Sequence, residues 1–393
     1  MSMHNNFHQQ KTNYLKVSVT IYFKRSFRFF LTLVLIWSTT ISFAKESVGP
    51  FSKDSIKNIM QRVADWQWRD IEVHGWKNPP KDWTSGAMFT GMVAWAKIAP
   101  DKKYWNKLVQ VGELNQWKIG PRRRFADDYC VGQMYSLLYK KFKNPSYIAD
   151  LRSLADTLAI IPHTEPLLWV NSIYLREWAW CDALFMAPPA LAYLSDATKD
   201  KKYLDLASRL WWKTSDYLYS NEEHLFFRDS RYFTQKEKNG KPVFWSRGNG
   251  WVLGGITNVL SVMPARHPDR ARFIKQFKEM AERIAGLQQP DGTWHASLLD
   301  PESYQVKETS GTAFFCYALA WGINHHILPH DKYYPVAIKA WQSLVACVHP
   351  DGKLGYVQPQ GVSPEKVTSD DTEYYGVGAF LLAGTEMIKL KSK

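Results

Sequence analysis

Asp182 has the surroundings that a proton-donating carboxyl group needs. It follows Trp180 and Cys181 and precedes a long run without charge. The rings of Trp178, Trp180 and Phe185 would bury it in part, and partial burial raises a carboxyl pKa toward the range of a general acid. Asp182 is therefore a candidate for acid–base chemistry, with helix capping as the alternative explanation.

A second acidic position is the pair Asp127 and Asp128, at the head of another uncharged segment. We expect one of the two to cap a helix while its neighbour faces an opening. Two acids at the mouths of adjacent helices can meet at one bound sugar, an arrangement that sugar chemistry uses. Capping at both positions, here and at Asp182, remains the alternative.

The string WSRGNGW opens a third uncharged segment and favours a ligand site. Arg247 offers a planar fork for a carboxylate, and Trp245 and Trp251 offer stacking faces for a sugar ring. Asn249 is a further candidate for contacting the ligand, and the two glycines permit the backbone shape of the turn. Trp83, which heads a further uncharged segment, is another candidate for lining the same opening, as is Trp294.

Motifs for metal, nucleotide or serine chemistry are missing. The chain contains no HExxH, paired CxxC, Walker loop or GxSxG, so we expect no metal and no cofactor. The adjacent His325 and His326 are expected to be a surface pair. Irregular spacing inside apolar segments argues against a disulfide framework and predicts buried thiols for most of the four cysteines, which are Cys130, Cys181, Cys316 and Cys347.

Two kinds of helix-length segment alternate six times along the chain. Segments with apolar residues on one side and charges on the other are predicted as outer helices, at 52–68, 102–117, 146–161, 202–219, 268–287 and 333–348. Segments almost free of charge must be buried on every side and are predicted as inner helices, at 84–96, 127–139, 182–194, 250–263, 310–323 and 375–383.

This alternation predicts an all-α fold, an (α/α)6 barrel in which six inner helices are ringed by six outer ones. An open HEAT-like solenoid is the rival architecture. The loops that enter the inner helices would line a funnel at one end. Residues 225–244 and 293–308 are predicted as extended insertions at its rim, and hydroxyl groups of the Thr-Ser pairs at 84–85 and 309–310 are predicted to cap two inner helices.

The first 44 residues are predicted to be a signal peptide. Lys24, Arg25 and Arg28 precede an uncharged run at 29–43 that ends in small residues, the pattern of a charged region, an apolar region and a cleavage site. We therefore expect an exported protein, periplasmic or secreted. Residues 45–393 would form a single catalytic domain, with no membrane association after removal of the leader.

The charge balance suits an acidic partner. Removing the five Lys and Arg residues of the leader takes the formal net charge from +13 to +8. A basic exported protein fits an acidic oligosaccharide, whereas the lack of a basic tract interleaved with aromatic residues disfavours nucleic acid. The only basic cluster, at 122–124, is expected to be a solvated loop.

Three strings carry a family resemblance. WCDALFM, FWSRGNGW and KETSGTAFFCYALAWGI, in this order, resemble the unsaturated glycuronyl hydrolases of glycoside hydrolase families 88 and 105, and look most like the unsaturated rhamnogalacturonyl hydrolases. The resemblance extends from about residue 83 to 386.

The resemblance implies removal of the 4,5-unsaturated uronic acid that lyases leave at the non-reducing end of an oligosaccharide. Asp182 would protonate C4 and then activate the water that adds at C5. Asp127 matches the second aspartate of the family, five residues before Gly132, and would hold sugar hydroxyls or assist the proton relay. Arg247 and Trp251 match residues that bind the unsaturated sugar.

One position departs from the family pattern. Where rhamnogalacturonyl members tend to show a His after an aromatic pair, this chain has Arg228. An Arg there adds positive charge to the funnel and could change the preferred aglycone, so unsaturated glucuronate from ulvan or arabinogalactan is an option beside rhamnogalacturonan.

Two other functions remain open from the sequence. One is an inverting hydrolase of saturated glycosides on the same toroid, which needs a separate acid and base. The other is a carbohydrate-binding protein that keeps the aromatic funnel but performs no chemistry.

Overall fold

The computed structural model describes residues 51–170, 172 and 177–390. The predicted signal peptide lies outside these residues. Within them, no helix combines the length and the apolar character that crossing a membrane requires.

The outer helices have the predicted one-sided pattern. In the helix Arg270–Ala285, Phe273, Phe277 and Met280 are buried while the charged residues between them face outward. In chain order the outer helices are α1 Lys53–His74, α3 Lys103–Leu114, α5 Ala149–Ile160, α8 Lys202–Leu218, α10 Arg270–Ala285 and α12 His330–Ala346.

Most inner helices are buried almost throughout, as their lack of charge predicts, whereas the helix Gly132–Phe142 ends in the exposed Lys140, Lys141 and Phe142. Every residue of the last one, Tyr374–Met387, is buried. The inner series consists of α2 Trp83–Ala96, α4 Gly132–Phe142, the short α6 Ala183–Met186 followed by α7 Pro188–Thr198, α9 Ser246–Val262, α11 Thr309–Asn324 and α13 Tyr374–Met387.

Two inner segments begin differently from the prediction. The segment at 182–194 is split into α6 and α7, because Pro188 and Pro189 have no N–H to continue the hydrogen-bond ladder. The segment at 127–139 starts with a 3₁₀ turn, Ala126–Tyr129, before α4. Asp182 lies on the turn just before α6, and Asp127 lies in the 3₁₀ turn, so neither acid is inside an α-helix.

The inner helices close into a ring. Each one packs on the next in the order α2, α4, α7, α9, α11, α13, and α13 packs back on α2. At this closing contact a Cβ on Gly91 would lie less than 3.0 Å from the backbone of Gly378, so the two backbones meet directly. Closure excludes the open solenoid and gives the (α/α)6 barrel.

Carboxylates, not hydroxyls, cap α2 and α11, so the predicted caps were wrong. Asp82 Oδ1 accepts the N–H of Thr84 at 2.9 Å. Glu308 accepts the N–H groups of Ser310 and Gly311 at 2.9 and 2.7 Å. Asp82 lies two residues before the Thr-Ser pair that was expected to cap α2, and Glu308 lies directly before the pair that was expected to cap α11.

The rim insertions are extended in part. β1 Tyr219–Ser220 pairs antiparallel with β2 Leu225–Phe226, and single bridges join Trp245 to Ser297 and Trp294 to Glu308. Short 3₁₀ turns, Ser230–Tyr232 and Pro301–Tyr304, interrupt the two predicted extended stretches. All four cysteines are buried free thiols, as predicted for most of them.

Candidate active site

Asp182 lies on the turn before α6 and makes no capping hydrogen bond through its side chain. The residue is 8% exposed. Its Oδ2 accepts a hydrogen bond from the Cys181 thiol at 3.4 Å and lies 3.5 Å from Nε of Arg228. The carboxyl therefore contacts the side chains of Cys181 and Arg228 and does not cap the helix.

Asp127 and Asp128 have different environments, although they are adjacent in sequence. Asp128 accepts the backbone N–H of Arg122 at 2.6 Å and forms an ion pair with its guanidinium. The Oδ1 atom of Asp127 is buried and has no hydrogen-bond partner. The prediction that one of the two caps a helix was wrong, since the turn has no side-chain cap. Arg122, which was expected in a solvated loop, pairs with Asp128.

The two carboxyls interact electrostatically. Burial and then the negative charge of Asp182 raise the pKa of Asp127 to about 8. Burial also raises the pKa of Asp182, while the positive charges of Arg228 and Arg247 oppose the rise. A pair of this kind retains a proton near neutral pH, because ionising both members places two charges in a poorly solvated site.

Arg247 extends from the first turn of α9 and is 1% exposed. Its Nη1 donates to the carbonyl of Gln358 at 2.6 Å, and its Nη2 donates to the carbonyl of Pro359 at 2.9 Å. The guanidinium packs over the rings of Trp245 and Tyr375, at 4.4 and 4.8 Å. Both terminal nitrogens of the expected carboxylate fork thus already donate to backbone carbonyls.

The aromatic residues beside Arg247 differ in their exposure to solvent. Trp83 is partly exposed and stacks on Tyr375, with ring centroids 5.5 Å apart. Trp251 is fully buried behind them and packs edge-on against Trp83 at 5.9 Å. Of these rings, Trp83 is the one that is open to solvent, and Trp251 supports it from inside.

Two of the tryptophans and the asparagine singled out from sequence also make hydrogen bonds within the protein. The indole N–H of Trp245 donates to Gln358 Oε1 at 2.9 Å. Asn249 accepts the N–H of Phe226 at 2.7 Å and donates to the carbonyls of Phe226 and Trp245. Its amide therefore ties β2 to the start of α9. Trp294 donates to a carbonyl of α10 and is fully buried.

Arg228 lies two residues after β2, in a cluster with Asp229, Arg231 and Trp169. Of these four residues, only Arg228 was predicted from the sequence. The guanidinium groups of Arg228 and Arg231 lie 4.7 and 4.6 Å from the Trp169 ring, and both pair with the buried Asp229. The alternating charges of the string RDSR could have indicated Asp229 and Arg231. Nothing in the sequence indicated Trp169, nor the contacts of Gln358 and Tyr375 with Arg247.

The structure thus brings Asp182, Asp127, Arg228 and Arg247 close enough to act on each other's charges. Asp182, Asp127 and Arg247 come from the turns and first helical residues that open the inner series, and Arg228 comes from the rim insertion after β2. A buried and a half-buried acid, two arginines and a partly exposed aromatic ring can bind an acidic sugar and transfer a proton to it.

Comparison with known proteins agrees with this chemistry. The model of Glycosyl Hydrolase Family 88 matches residues 52–391. The unsaturated 3S-rhamnoglycuronyl hydrolase of Formosa agariphila is 36% identical over 373 residues, covering 92% of this chain and 98% of the relative. A protein of the same name from an Alteromonas species is also 36% identical and covers 86% of each chain.

A solved structure of a family 88 protein has the same fold as this chain. The glycosyl hydrolase family 88 protein of Bacteroides vulgatus superimposes with a TM-score of 0.76 at 31% identity, covering 86% of this chain and 99% of that one. The family model spans nearly all of the described helices, and the curated relatives match along almost their whole length. The chain belongs to glycosyl hydrolase family 88.

Proposed function

We propose that this protein removes a 4,5-unsaturated uronic acid from the non-reducing end of lyase-generated oligosaccharides. The observation that carries the proposal is the acid pair of Asp182 and Asp127 beside two arginines, at the mouth of a family 88 barrel. Relatives that are 36% identical over most of the chain are named for hydrolysis of an unsaturated rhamnoglycuronyl group.

Asp182 is the acid and then the base of the proposed reaction. In its protonated form it donates a proton to C4 of the C4=C5 double bond, which leaves positive charge on C5 and the ring oxygen. As a carboxylate it then takes a proton from the water that attacks C5. The resulting hemiketal opens, the hemiacetal at C1 releases the aglycone as an alcohol, and Asp182 is again protonated.

Asp127 supports this step. Its buried Oδ1 has no partner in the described part of the chain, so a sugar hydroxyl or a proton-relaying water can occupy that position. Its raised pKa keeps it protonated near neutral pH, which lets it donate a hydrogen bond to the substrate.

For the aglycone we propose rhamnose, as found in ulvan and rhamnogalacturonan fragments. The names of both curated relatives support a rhamnoglycuronyl substrate. Arg228, at the position where rhamnogalacturonyl members tend to show a His, favours an acidic ligand because it adds a cation beside Asp182.

The test is to follow the ultraviolet absorbance of the C4=C5 bond during incubation with lyase digests of ulvan, rhamnogalacturonan, arabinogalactan and a glycosaminoglycan. We expect loss of absorbance on the ulvan digest and slower or no loss on the glycosaminoglycan digest. Unchanged absorbance on all four digests, together with cleavage of a saturated glycoside, would refute the proposed function.

We also propose that residues 1–44 direct export and that residues 45–393 form one catalytic domain. The support is the basic stretch followed by an uncharged run and small residues. Amino-terminal sequencing of the protein recovered from the periplasm or the medium should start at Lys45. A start at Met1 in the active protein contradicts export by cleavage.

A further inference from the structure

Both the backbone and the side chain of Arg228 are tied to the segment that carries Asp182. Its carbonyl accepts the N–H of Cys181 at 2.8 Å. Its Nε lies 3.5 Å from Asp182 Oδ2, and its Nη1 donates to Asp229 Oδ2 at 2.7 Å. The guanidinium therefore stands between the proposed acid and a second carboxylate.

Asp229 is a fixed anchor for this guanidinium. It is fully buried and accepts three hydrogen bonds from Arg231, of 3.0, 2.8 and 2.8 Å. Burial alone would raise the pKa of Asp229, but hydrogen bonds from Arg231 and Arg228 hold it below its ordinary value. Asp229 stays charged, so it keeps Arg228 in place when the partner on the other side of the guanidinium changes.

Arg228 has hydrogen-bonding capacity left for a ligand. Its Nε is buried without a hydrogen bond, and its Nη2 makes none to the residues that the structure describes. Arg247 differs, since both of its terminal nitrogens donate to backbone carbonyls and its faces lie on Trp245 and Tyr375. Of the two arginines that act on Asp182, Arg228 is the one with uncommitted donors beside the carboxyl.

The chemistry of the substrate brings an anion to this position. In a 4,5-unsaturated uronic acid the carboxylate is attached to C5, next to the C4 atom that Asp182 would protonate. A cation at 3.5 Å from the carboxyl of Asp182 is therefore within reach of the substrate carboxylate as well. Resting on the proposed function, we propose that Arg228 binds the substrate carboxylate, and that this contact replaces its contact with Asp182.

Substrate binding would then raise the proton affinity of Asp182. The groups that face Asp182 are the thiol of Cys181, the carboxyl of Asp127 and the two arginines Arg228 and Arg247, with Asp229 behind Arg228. When the substrate carboxylate takes up the charge of Arg228, Asp182 loses its nearest cation and gains an anionic neighbour. Its proton affinity rises at the moment when it must carry a proton to C4.

The experiment compares an unsaturated disaccharide with its C6 amide, which keeps the double bond and lacks the charge. Wild type should prefer the acid by about 10-fold to 100-fold in kcat/KM, the range for hydrogen bonds to charged groups. Arg228→Gln should reduce this preference to near one, and Arg228→Lys should retain part of it, since lysine keeps the charge without the fork. Arg247→Lys should keep the preference.

Arg272→Gln is the matched control. Arg272 also stacks on a tryptophan, Trp212, and pairs with an aspartate, Asp216, but it lies on outer helix α10. Its variant should behave as wild type on both substrates.

The outcomes separate this inference from the function beneath it. If wild type consumes neither compound, the proposed function fails, and the inference fails with it. If wild type consumes the acid and Arg228→Gln keeps the full preference, only the assignment of Arg228 is overturned. Loss of the preference in Arg247→Lys alone would transfer the carboxylate to Arg247.

The pH profile gives a readout that a structural role would not produce. In wild type the alkaline limb of kcat, which reports the bound enzyme, should lie at higher pH than the limb of kcat/KM, which reports the free enzyme. In Arg228→Gln the separation should be smaller, because no cation moves away from Asp182 when the substrate binds. Equal separation in both proteins contradicts the exchange of partners.

Discussion

At the scale of single residues, the site depends on two carboxyls whose surroundings give them different proton affinities. Asp127 lacks a partner for Oδ1 and faces the charge of Asp182, whereas Asp182 has Arg228 and Arg247 nearby. Enzymes that use one group as acid and base need such environments, because a carboxyl with its ordinary pKa holds no proton at neutral pH.

Replacing Asp127 by Asn should stabilise the protein at alkaline pH. The pKa of Asp127 is raised from 3.8 to about 8, so between these values the folded protein holds a proton that the unfolded chain has lost. Its stability therefore falls as pH rises through this range. We expect Asp127→Asn to raise Tm by about 1 to 4 °C at about pH 9 and much less at about pH 5.

Thermal melts of wild type and variant at the two pH values measure this difference. Asp128→Asn is the matched control, since it changes the neighbouring carboxyl that pairs with Arg122 and should lower Tm at both pH values. An Asp127→Asn effect that is the same at both pH values would show that Asp127 is charged in the folded protein.

At the scale of elements, the sequence predicted the helices well and the contacts at their ends poorly. A helix-length segment without charged residues predicts an inner helix, and this prediction does not depend on the rest of the fold. An example is α13, in which every residue is buried. The cap of α11 depends on which of several polar residues reaches the amides, and the structure selects Glu308 over Ser310. The residue types alone did not separate Asp127 from Asp128, although the family resemblance selected Asp127, because only the folded turn decides which one meets Arg122.

Residues whose partners are distant in sequence could not be predicted either. Asn249 was expected to contact the ligand, yet its amide is occupied by backbone groups of β2 and the start of α9. Trp169 contacts two arginines about 60 residues further along the chain, and no local pattern encodes that contact.

Glu308 should be important for the stability of the site-bearing end of α11. It is fully buried, and its carboxylate accepts hydrogen bonds from the amides of Ser310, Gly311 and Gln358. Glu308→Ala leaves these donors unpaired and should lower the free energy of unfolding by about 1 to 3 kcal/mol. Denaturant titration measures the loss.

The exposed Glu302, in the nearby 3₁₀ turn, is the control. Glu302→Ala should change the free energy of unfolding by no more than about 0.5 kcal/mol. If the two variants are equally stable, the capping role of Glu308 is wrong.

At the scale of the whole molecule, closure of the ring brings the functional residues together. Trp83 is on the first inner helix and Tyr375 is on the last, and their stacked rings form part of the wall around Arg247. An open array of the same helices would separate these two residues. The barrel is therefore required for the site, and its closing contact is open to a direct test.

Gly91→Ala should weaken this closing contact between α2 and α13. The added methyl group would clash with the carbonyl of Gly378, so we expect a loss of about 1 to 3 kcal/mol or more in the free energy of unfolding. Activity should fall as well, because Trp83 and Tyr375 would move apart.

Gly286→Ala is the matched substitution outside the ring contact. Its nearest atoms lie at 3.5 and 3.7 Å, an ordinary contact distance, so it should be neutral or stabilising by up to about 1 kcal/mol. Equal stability of the Gly91 and Gly286 variants would mean that the two backbones do not meet at this point.

The central claim is that Asp182 delivers a proton to C4 of an unsaturated uronic acid, and turnover in deuterium oxide tests it most directly. Early time points of the reaction with an unsaturated disaccharide are followed by nuclear magnetic resonance, for wild type and for Asp182→Asn. We predict one deuterium at C4 of each released sugar, and a rate for Asp182→Asn that is lower by about 10²-fold to 10⁴-fold with substrate binding retained. Release of a sugar that still carries its double bond and no deuterium at C4, or near-normal turnover by Asp182→Asn, would contradict the mechanism.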